Sequence, residues 1–315
     1  MVPTLAATEL EDLLTYLSQV HCVDLRGYKR STLLRRTRVR MQCLKVENYQ
    51  DYLDYLEQQP DEVPQLLNTI YINLTGFFRD RFVWDYLANE IIPQIIVNKA
   101  PHEPIRIWSA ACASGEETYS LAILFAEALG IEQFQQRVQI YGTDVDPDAI
   151  RQARQGYYPA YAIEAIPPAL QAQYFEHRQD LYCWRQDLHC SINFQLHNLI
   201  QDPPLPQIDL LVCRNLLIYL TPETQLRVLA RLHQSLEQTG FLLLGQTENL
   251  VTPPETSLFT PLRLRARAFT KTPGTTKAYR AGRSPKVKVS AQLAANSLAA
   301  NSLAANSVLL DSVSI

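Results

Sequence analysis

Between Ile105 and Gly130 the hydrophobic period changes once, and that change dictates an α/β fold. Ile105, Ile107 and Trp108, interrupted only by Arg106, make a short apolar run suited to a parallel strand ending near Ser109. Ala110 to Ser114 are small, and Glu116 to Leu129 form an apolar helix stopped by Gly130. Such a strand–turn–helix unit places a ligand over its turn. The turn has a single glycine, Gly115, so it lacks the Gly-x-Gly-x-x-Gly dinucleotide fingerprint, and no Lys-Ser/Thr pair marks a phosphate loop. Glu116 and Glu117 at the helix start suit the helix dipole but would repel a pyrophosphate. Either glutamate alone is equally well explained as complementing the dipole. Together they favour a cationic ligand without phosphate, and S-adenosylmethionine fits.

Polar residues recur where further strands end. A second strand, Val138 to Gly142, leads to Thr143-Asp144-Val145-Asp146. An acidic side chain at the end of this strand accepts hydrogen bonds from ribose hydroxyls, and Asp144 is the candidate. Asp146, just before Pro147, reads as a helix N-cap. A third strand, Ile192 to His197, leads to Asn198-Leu199, and a fourth, Asp209 to Cys213, leads to Arg214-Asn215 and on to Tyr219. Upstream lies Asn73-Leu74-Thr75-Gly76-Phe77-Phe78-Arg79. In isolation Phe77 and Phe78 would be core and Arg79 a surface charge. Immediately before a strand–turn–helix unit with an acidic mouth, the segment gains a functional reading.

The first 70 or so residues have helical spacing over Glu9 to Val20, Ser31 to Cys43, Tyr49 to Gln58 and Val63 to Asn73. Arg26, Lys29, Arg30, Arg35, Arg36, Arg38 and Arg40 follow one another with no acidic residue between Arg26 and Arg40. Part of this cluster shares one helix face. A solvated face is the plain reading. In a chain of net charge −3, the concentrated patch also suits an acidic partner. Neither aromatic interleaving on that helix nor a nucleic-acid motif supports RNA or DNA there.

At this point the sequence resembles the chemotaxis receptor methyltransferases, the CheR family, across roughly residues 20 to 270. The resemblance rests on Tyr28-Lys29-Arg30 with Arg35-Arg36 and Arg40-Met41, on Asn73 through Asp80, and on Trp108 through Glu117. It continues through Thr143-Asp144-Val145-Asp146, Cys213 through Tyr219, and Gly245-Gln246-Thr247-Glu248-Asn249. It implies a Rossmann-like class I methyltransferase sheet with an N-terminal helical domain over 1–72, a catalytic domain over 73–270 and a small antiparallel β insertion near 157–191. It implies methyl transfer from S-adenosylmethionine to glutamate side chains of a transmembrane chemoreceptor in sensory adaptation, leaving γ-methyl esters and S-adenosylhomocysteine. By the same similarity Asn73, Thr75, Arg79, Glu117, Asp144, Asn198, Leu199, Arg214 and Asn215 line the cofactor pocket, with Arg79 and Tyr219 closest to the reacting methyl. The basic helix around Arg35, Arg36, Arg38 and Arg40 would meet the receptor's cytoplasmic helices. One departure is Gln246-Thr247, where the family more often has His-Ser.

The residues agree with this chemistry. A glutamate, with a reference pKa of about 4.3, is already an ionised nucleophile at neutral pH and needs no general base. Alignment and exclusion of water can supply up to about 7–11 kcal/mol. Arg79 could hold a carboxylate, whether the cofactor's or the substrate's. The Asn/Asp-Pro-Pro-Tyr motif of amino-directed nucleic-acid enzymes is absent after the fourth strand, and Cys213 follows Val212 rather than the proline of a cytosine-C5 nucleophile. Cys213 reads as a small buried residue. A cofactor-binding regulatory module without turnover is the competing function, and nucleic-acid methylation a more distant one.

With 315 residues, 47% hydrophobic, the chain can build one large domain and a small one. It shows no basic region followed by an apolar stretch at its N-terminus and no apolar run near about 18 residues, so a cytoplasmic protein without membrane insertion is expected. Six scattered cysteines point to reduced thiols. Cys183, His189 and Cys190 lack a nearby fourth metal ligand, so no metal is expected. Past about Thr270 the chain turns basic and polar. Leu293-Ala294-Ala295-Asn296-Ser297 then recurs at Leu298 and Leu303, which reads as a mobile, low-complexity tail over 271–315.

Overall fold

The computed structural model describes residues 5–250 and 258–272. The repeat tail therefore lies outside the described residues.

Four helices come first: α1 (Leu5–Val20), α2 (Arg30–Leu44), α3 (Tyr49–Gln58) and α4 (Glu62–Ile70). Their spacing dictates the packing. Leu10, Leu13, Leu14 and Leu17 recur at helical intervals and are buried, as are Leu33, Thr37 and Met41 on α2. Asn48 caps α3 by accepting the Asp51 N–H. The helix expected over Val63 to Asn73 stops at Ile70, where Tyr71 turns extended at φ −73° and ψ 113°. Two β-branched residues, Thr69 and Ile70, weaken that end. The Asn73 side chain then bonds to Asp146 at 2.6 Å, a tertiary contact that a continued helix could not make.

The basic cluster is also thinner in three dimensions than in sequence. Arg40 forks onto Glu62 with both bonds at 2.6 Å, and Arg30 pairs with Glu11. Arg35 and Arg38 stay exposed on α2, and Arg36 is half-buried.

α5 (Arg81–Tyr86), a π turn at Leu87–Ile91 and α6 (Ile92–Asn98) lead into β1 (Ile105–Ala110), α7 (Glu116–Leu129), α8 (Ile131–Arg137), β2 (Val138–Asp144) and α9 (Pro147–Gln155). An insertion follows, with β3 (Tyr157–Pro159), α10 (Ala160–Ile163), α11 (Pro168–Tyr174), β4 (Phe175–Arg178) and β5 (Leu181–Trp184). The main sheet resumes with β6 (Ile192–Leu196), β7 (Ile208–Cys213), α12 (Pro222–Ser235), β8 (Leu236–Leu244), β9 (Phe259–Arg263) and β10 (Ala268–Lys271).

The large sheet runs β6-β2-β1-β7-β8-β10-β9. The first five strands are parallel, and β10 pairs antiparallel with both β8 and β9. Every residue of β7 is buried, because helices cover both faces of the central strands. The chain reverses direction across the sheet between β1 and β7, and there the strand ends open a crevice for a ligand.

The insertion forms a separate antiparallel sheet, β3-β5-β4, as expected. Trp184 stacks on Tyr174 with ring centroids 5.8 Å apart, and Phe77 packs edge-on against Tyr158 and Phe175. Phe78 meets Trp84 in the same manner. Both phenylalanines therefore anchor the segment that precedes Arg79.

Candidate active site

The turn after β1 is wound in the left-handed region at Ala111 (φ 61°), Ala113 (φ 48°) and Gly115 (φ 99°). Small residues tolerate this conformation best, and a Cβ on Gly115 would lie 2.9 Å from that of Ala153. The winding aims the Ala113 N–H at Asp144 Oδ2, 2.8 Å away, while Asp146 N–H donates to Oδ1 at 3.0 Å. Two backbone donors thus fix the Asp144 carboxylate at the β2 end. Burial still pushes its pKa up, and these bonds oppose the push. Asp146 is the N-cap of α9, as its place before Pro147 suggested. Its other oxygen takes the Asn73 bond and so draws the segment after α4 onto the strand ends.

The two glutamates of α7 separate. Glu116 accepts from Ser114 Oγ at 2.8 Å and turns away from the crevice, so the acidic mouth expected from the pair is Glu117 alone. Glu117 accepts from Ser109 Oγ at 2.8 Å and lies 3.5 Å from Arg214 Nη1. Its pKa is raised by burial, with Arg214 pulling the other way. Arg214 Nη2 reaches Asp80 Oδ2 at 2.5 Å and the Arg79 carbonyl at 3.0 Å. One buried guanidinium therefore ties the Arg79 segment to α7. Arg79 donates one N–H to the Leu74 carbonyl at 2.7 Å. The rest of its fork has no partner among the described residues.

The loop after β7 is set by Glu248. This residue is 2% exposed and accepts the N–H groups of Leu217 and Gly245 at 2.7 and 2.6 Å. Asn215 is left-handed at φ 63°, and the Tyr219 carbonyl accepts the Lys29 N–H at 2.8 Å.

These elements line one cleft, open to solvent. Asn73, Thr75, Arg79, Glu117, Asp144, Asn198, Leu199, Arg214, Asn215 and Tyr219 all line it. Residues given no role from the sequence join them: His197, and Tyr28, Ile70 and Tyr71 from the helical region. Asp80 and Glu248 also carry the geometry without having been singled out beyond their motifs. Their sequence signal was their place in the segments Asn73 through Asp80 and Gly245 through Asn249. Cys112 lines the cleft too, but burial drives its thiol well above the ordinary range, away from a nucleophile's state. Among the described residues no group of three His, Cys, Asp or Glu side chains could hold a metal ion, and no helix is long and apolar enough to cross a membrane.

Five parallel strands closed by an antiparallel pair, with a fixed carboxylate at the β2 end, define a class I S-adenosylmethionine-dependent methyltransferase fold. The chain belongs to the CheR methyltransferase family: residues 73–265 match its SAM binding domain, and residues 8–71 match its all-alpha domain. The cofactor is accordingly S-adenosylmethionine. The chemotaxis protein methyltransferase of Listeria innocua is 30% identical over 238 residues, covering 76% of this chain and 88% of its own. Chemotaxis protein methyltransferase 2 of Pseudomonas aeruginosa is 32% identical over 235 residues, covering 73% and 82%. An uncharacterized 104.1 kDa protein of Rhodobacter capsulatus is 34% identical over 249 residues; the match covers 79% of this chain but only 26% of that longer protein. A TehB-like SAM-dependent methyltransferase structure from Corynebacterium glutamicum covers 60% of this chain and 94% of its own at 19% identity, with a TM-score of 0.34.

Proposed function

We propose that the protein methylates glutamate side chains of a chemoreceptor, forming γ-methyl esters in sensory adaptation. The carrying observation is Arg79. It stands at a cleft lined by Glu117 and Asp144, keeps most of its fork free among the described residues, and so suits an incoming carboxylate. Bound S-adenosylmethionine supplies an electrophilic methyl on a sulfonium that departs as a neutral thioether.

The chain's own residues then have four tasks. Asp144 receives ribose hydroxyls, and Asn198 and Leu199 border it at the β6 end, where the His197 N–H meets the Asp144 carbonyl at 2.8 Å. Asn73, Thr75, Glu117, Arg214 and Asn215 complete the cofactor pocket. Arg79 and Tyr219 orient the glutamate against the methyl. No residue need remove a proton, because the substrate is already ionised. His197 agrees with this economy: its Nε2 lies 3.1 Å from the Pro203 carbonyl, and its Nδ1 is sealed from solvent.

The functional division follows 1–72, 73–270 and 271–315. The partner is the receptor's cytoplasmic helical region, met by Arg35 and Arg38 with Arg36 beside them, while Arg40 supports α2 through Glu62. That partner places the reaction in the cytoplasm. The test supplies methyl-labelled S-adenosylmethionine and membranes bearing candidate chemoreceptors. Base-labile label on the receptor supports the reading. Cofactor binding with no labelled receptor would point to a regulatory module, and label on RNA or DNA to a nucleic-acid enzyme.

A further inference from the structure

Two tyrosines of the helical region face the cofactor cleft, and the chemistry above uses neither. Tyr28 lies between α1 and α2, Tyr71 directly follows α4, and both line the cleft together with Asp144. Tyr28 is 8% exposed and Tyr71 half-buried. Neither hydroxyl hydrogen-bonds to another group among the described residues, and neither is sealed in as an orphaned buried atom. Burial pushes both phenols upward, Tyr71 to about 12; after it, Asp146 and then Asp144 raise Tyr71, and the neighbouring Tyr71 and then Asp144 raise Tyr28. The two hydroxyls therefore remain neutral donors beside that carboxylate.

Their positions are held from both sides. Tyr28 forms an antiparallel bridge with Leu220, flanked by Lys29 N–H to the Tyr219 carbonyl at 2.8 Å and Thr221 N–H to the Gly27 carbonyl at 2.9 Å. Gly27 permits this approach, since a Cβ there would lie 3.0 Å from Ile200 Cδ1. Tyr71 closes α4 through its N–H to the Leu67 carbonyl at 2.8 Å, and Asn73 two residues on is held by Asp146.

Asp144 is an acceptor only, so it can satisfy ribose O–H groups but not the ribose oxygens. Those oxygens need donors. Its own backbone donors, Ala113 and Asp146, are already spent on the carboxylate. We propose that Tyr28 and Tyr71 donate to the ribose oxygens of the cofactor, so that the helical region completes the nucleoside site. The inference rests on the reading that S-adenosylmethionine sits in this cleft with its ribose at Asp144.

The test is calorimetric binding of S-adenosylhomocysteine and of its 2′,3′-dideoxy analogue to the full chain, as wild type, Tyr28→Phe and Tyr71→Phe. Phenylalanine keeps the ring and removes only the hydroxyl. Each variant should bind S-adenosylhomocysteine about three- to tenfold more weakly, as expected for one lost hydrogen bond. With the dideoxy analogue that loss should nearly vanish. Unchanged affinity for S-adenosylhomocysteine, or an equal loss with both ligands, overturns the proposal and leaves the tyrosines as packing. Wild-type protein that binds neither ligand would instead overturn the cofactor reading beneath it.

Discussion

The junction of Arg214 with Glu117 offers the sharpest test of how the cleft is held. Arg214 is 6% exposed and Glu117 8%, so water screens their 3.5 Å contact poorly. At an effective dielectric near 20, opposite charges at that distance attract by about 4–5 kcal/mol. The Asp80 contact adds less than its shorter distance implies, because the Asp80 side chain is 38% exposed and solvent competes for it. Desolvation of the guanidinium offsets part of the gain. Arg214→Met keeps much of the volume and leaves Glu117 buried without its cation, which should cost about 3–5 kcal/mol. For a unit of this size that lowers Tm by roughly 6–20 °C.

Differential scanning calorimetry and urea unfolding would measure it, with Glu117→Gln and the double variant completing a cycle. The double variant should be more stable than the two single losses predict by at least about 2 kcal/mol. pH provides an independent check. Without Arg214, the Glu117 pKa, already raised by burial, rises further. A raised folded-state pKa means stability that is present below the unfolded value of about 4.3 and lost as pH climbs through the folded value. The Arg214→Met deficit should therefore shrink toward pH 4 and be largest at neutral pH. A loss below about 1 kcal/mol, or strict additivity in the cycle, would refute this account.

Three further outcomes are expected. Arg79→Ala should abolish methyl transfer while leaving the melting temperature unchanged, since the Arg79 carbonyl that accepts from Arg214 survives; retained full activity removes Arg79 from the site. Burial raises Glu117 and Asp144, the two carboxylates of the cleft, so their contribution to stability is present at acid pH and lost as pH rises through the raised values. Cationic S-adenosylmethionine should thus raise Tm more than neutral S-adenosylhomocysteine does, by a margin that narrows on acidification as these carboxylates take up protons; a margin independent of pH would contradict this. Gly115→Ala should cost about 1–3 kcal/mol from its backbone conformation alone, whereas Gly76→Ala, where a Cβ meets nothing within 4 Å, should be silent in the same denaturation assay.

The strands and helices of the catalytic half were legible because their patterns are local. β1 and β7 are short, mostly apolar runs broken only by Arg106 and Ser109 in the one and Asp209 in the other, and α7 spans Glu116–Leu129 between a left-handed Gly115 and Gly130, the limits its sequence suggests. The strand-end residues were legible because a parallel sheet must bring its carboxyl ends together. What depends on distant partners was not. The separate fates of Glu116 and Glu117 turn on Ser114 and on Arg214, 97 residues away from Glu117. The withdrawal of Arg40 from the basic face depends on Glu62, 22 residues on. α4 ends early for a similar reason, since Asn73 reaches Asp146 across 73 residues. A periodicity argument sees none of these pairs.

The division between helical and catalytic regions is one of sequence and function more than of folding. The described residues of both regions belong to a single compact unit, and one buried cluster joins Leu10, Leu14 and Leu33 of the helices to Trp108, Leu211 and Leu242 of the sheet. The cleft itself is walled by Tyr28, Ile70 and Tyr71 on one side and by the strand ends on the other. A chain starting at Asn73 would uncover part of that cluster. Each large apolar side chain returned to water costs about 1.5–3 kcal/mol, so exposing four would cost about 6–12 kcal/mol. That is comparable to the roughly 5–15 kcal/mol that holds a whole domain folded. The 73–315 chain should therefore bind a hydrophobic dye, elute as aggregate and bind S-adenosylhomocysteine poorly. If it ran as a monomer with a cooperative melt and wild-type affinity, the helical region would be a mere attachment, and the shared core would contribute nothing to the cofactor site.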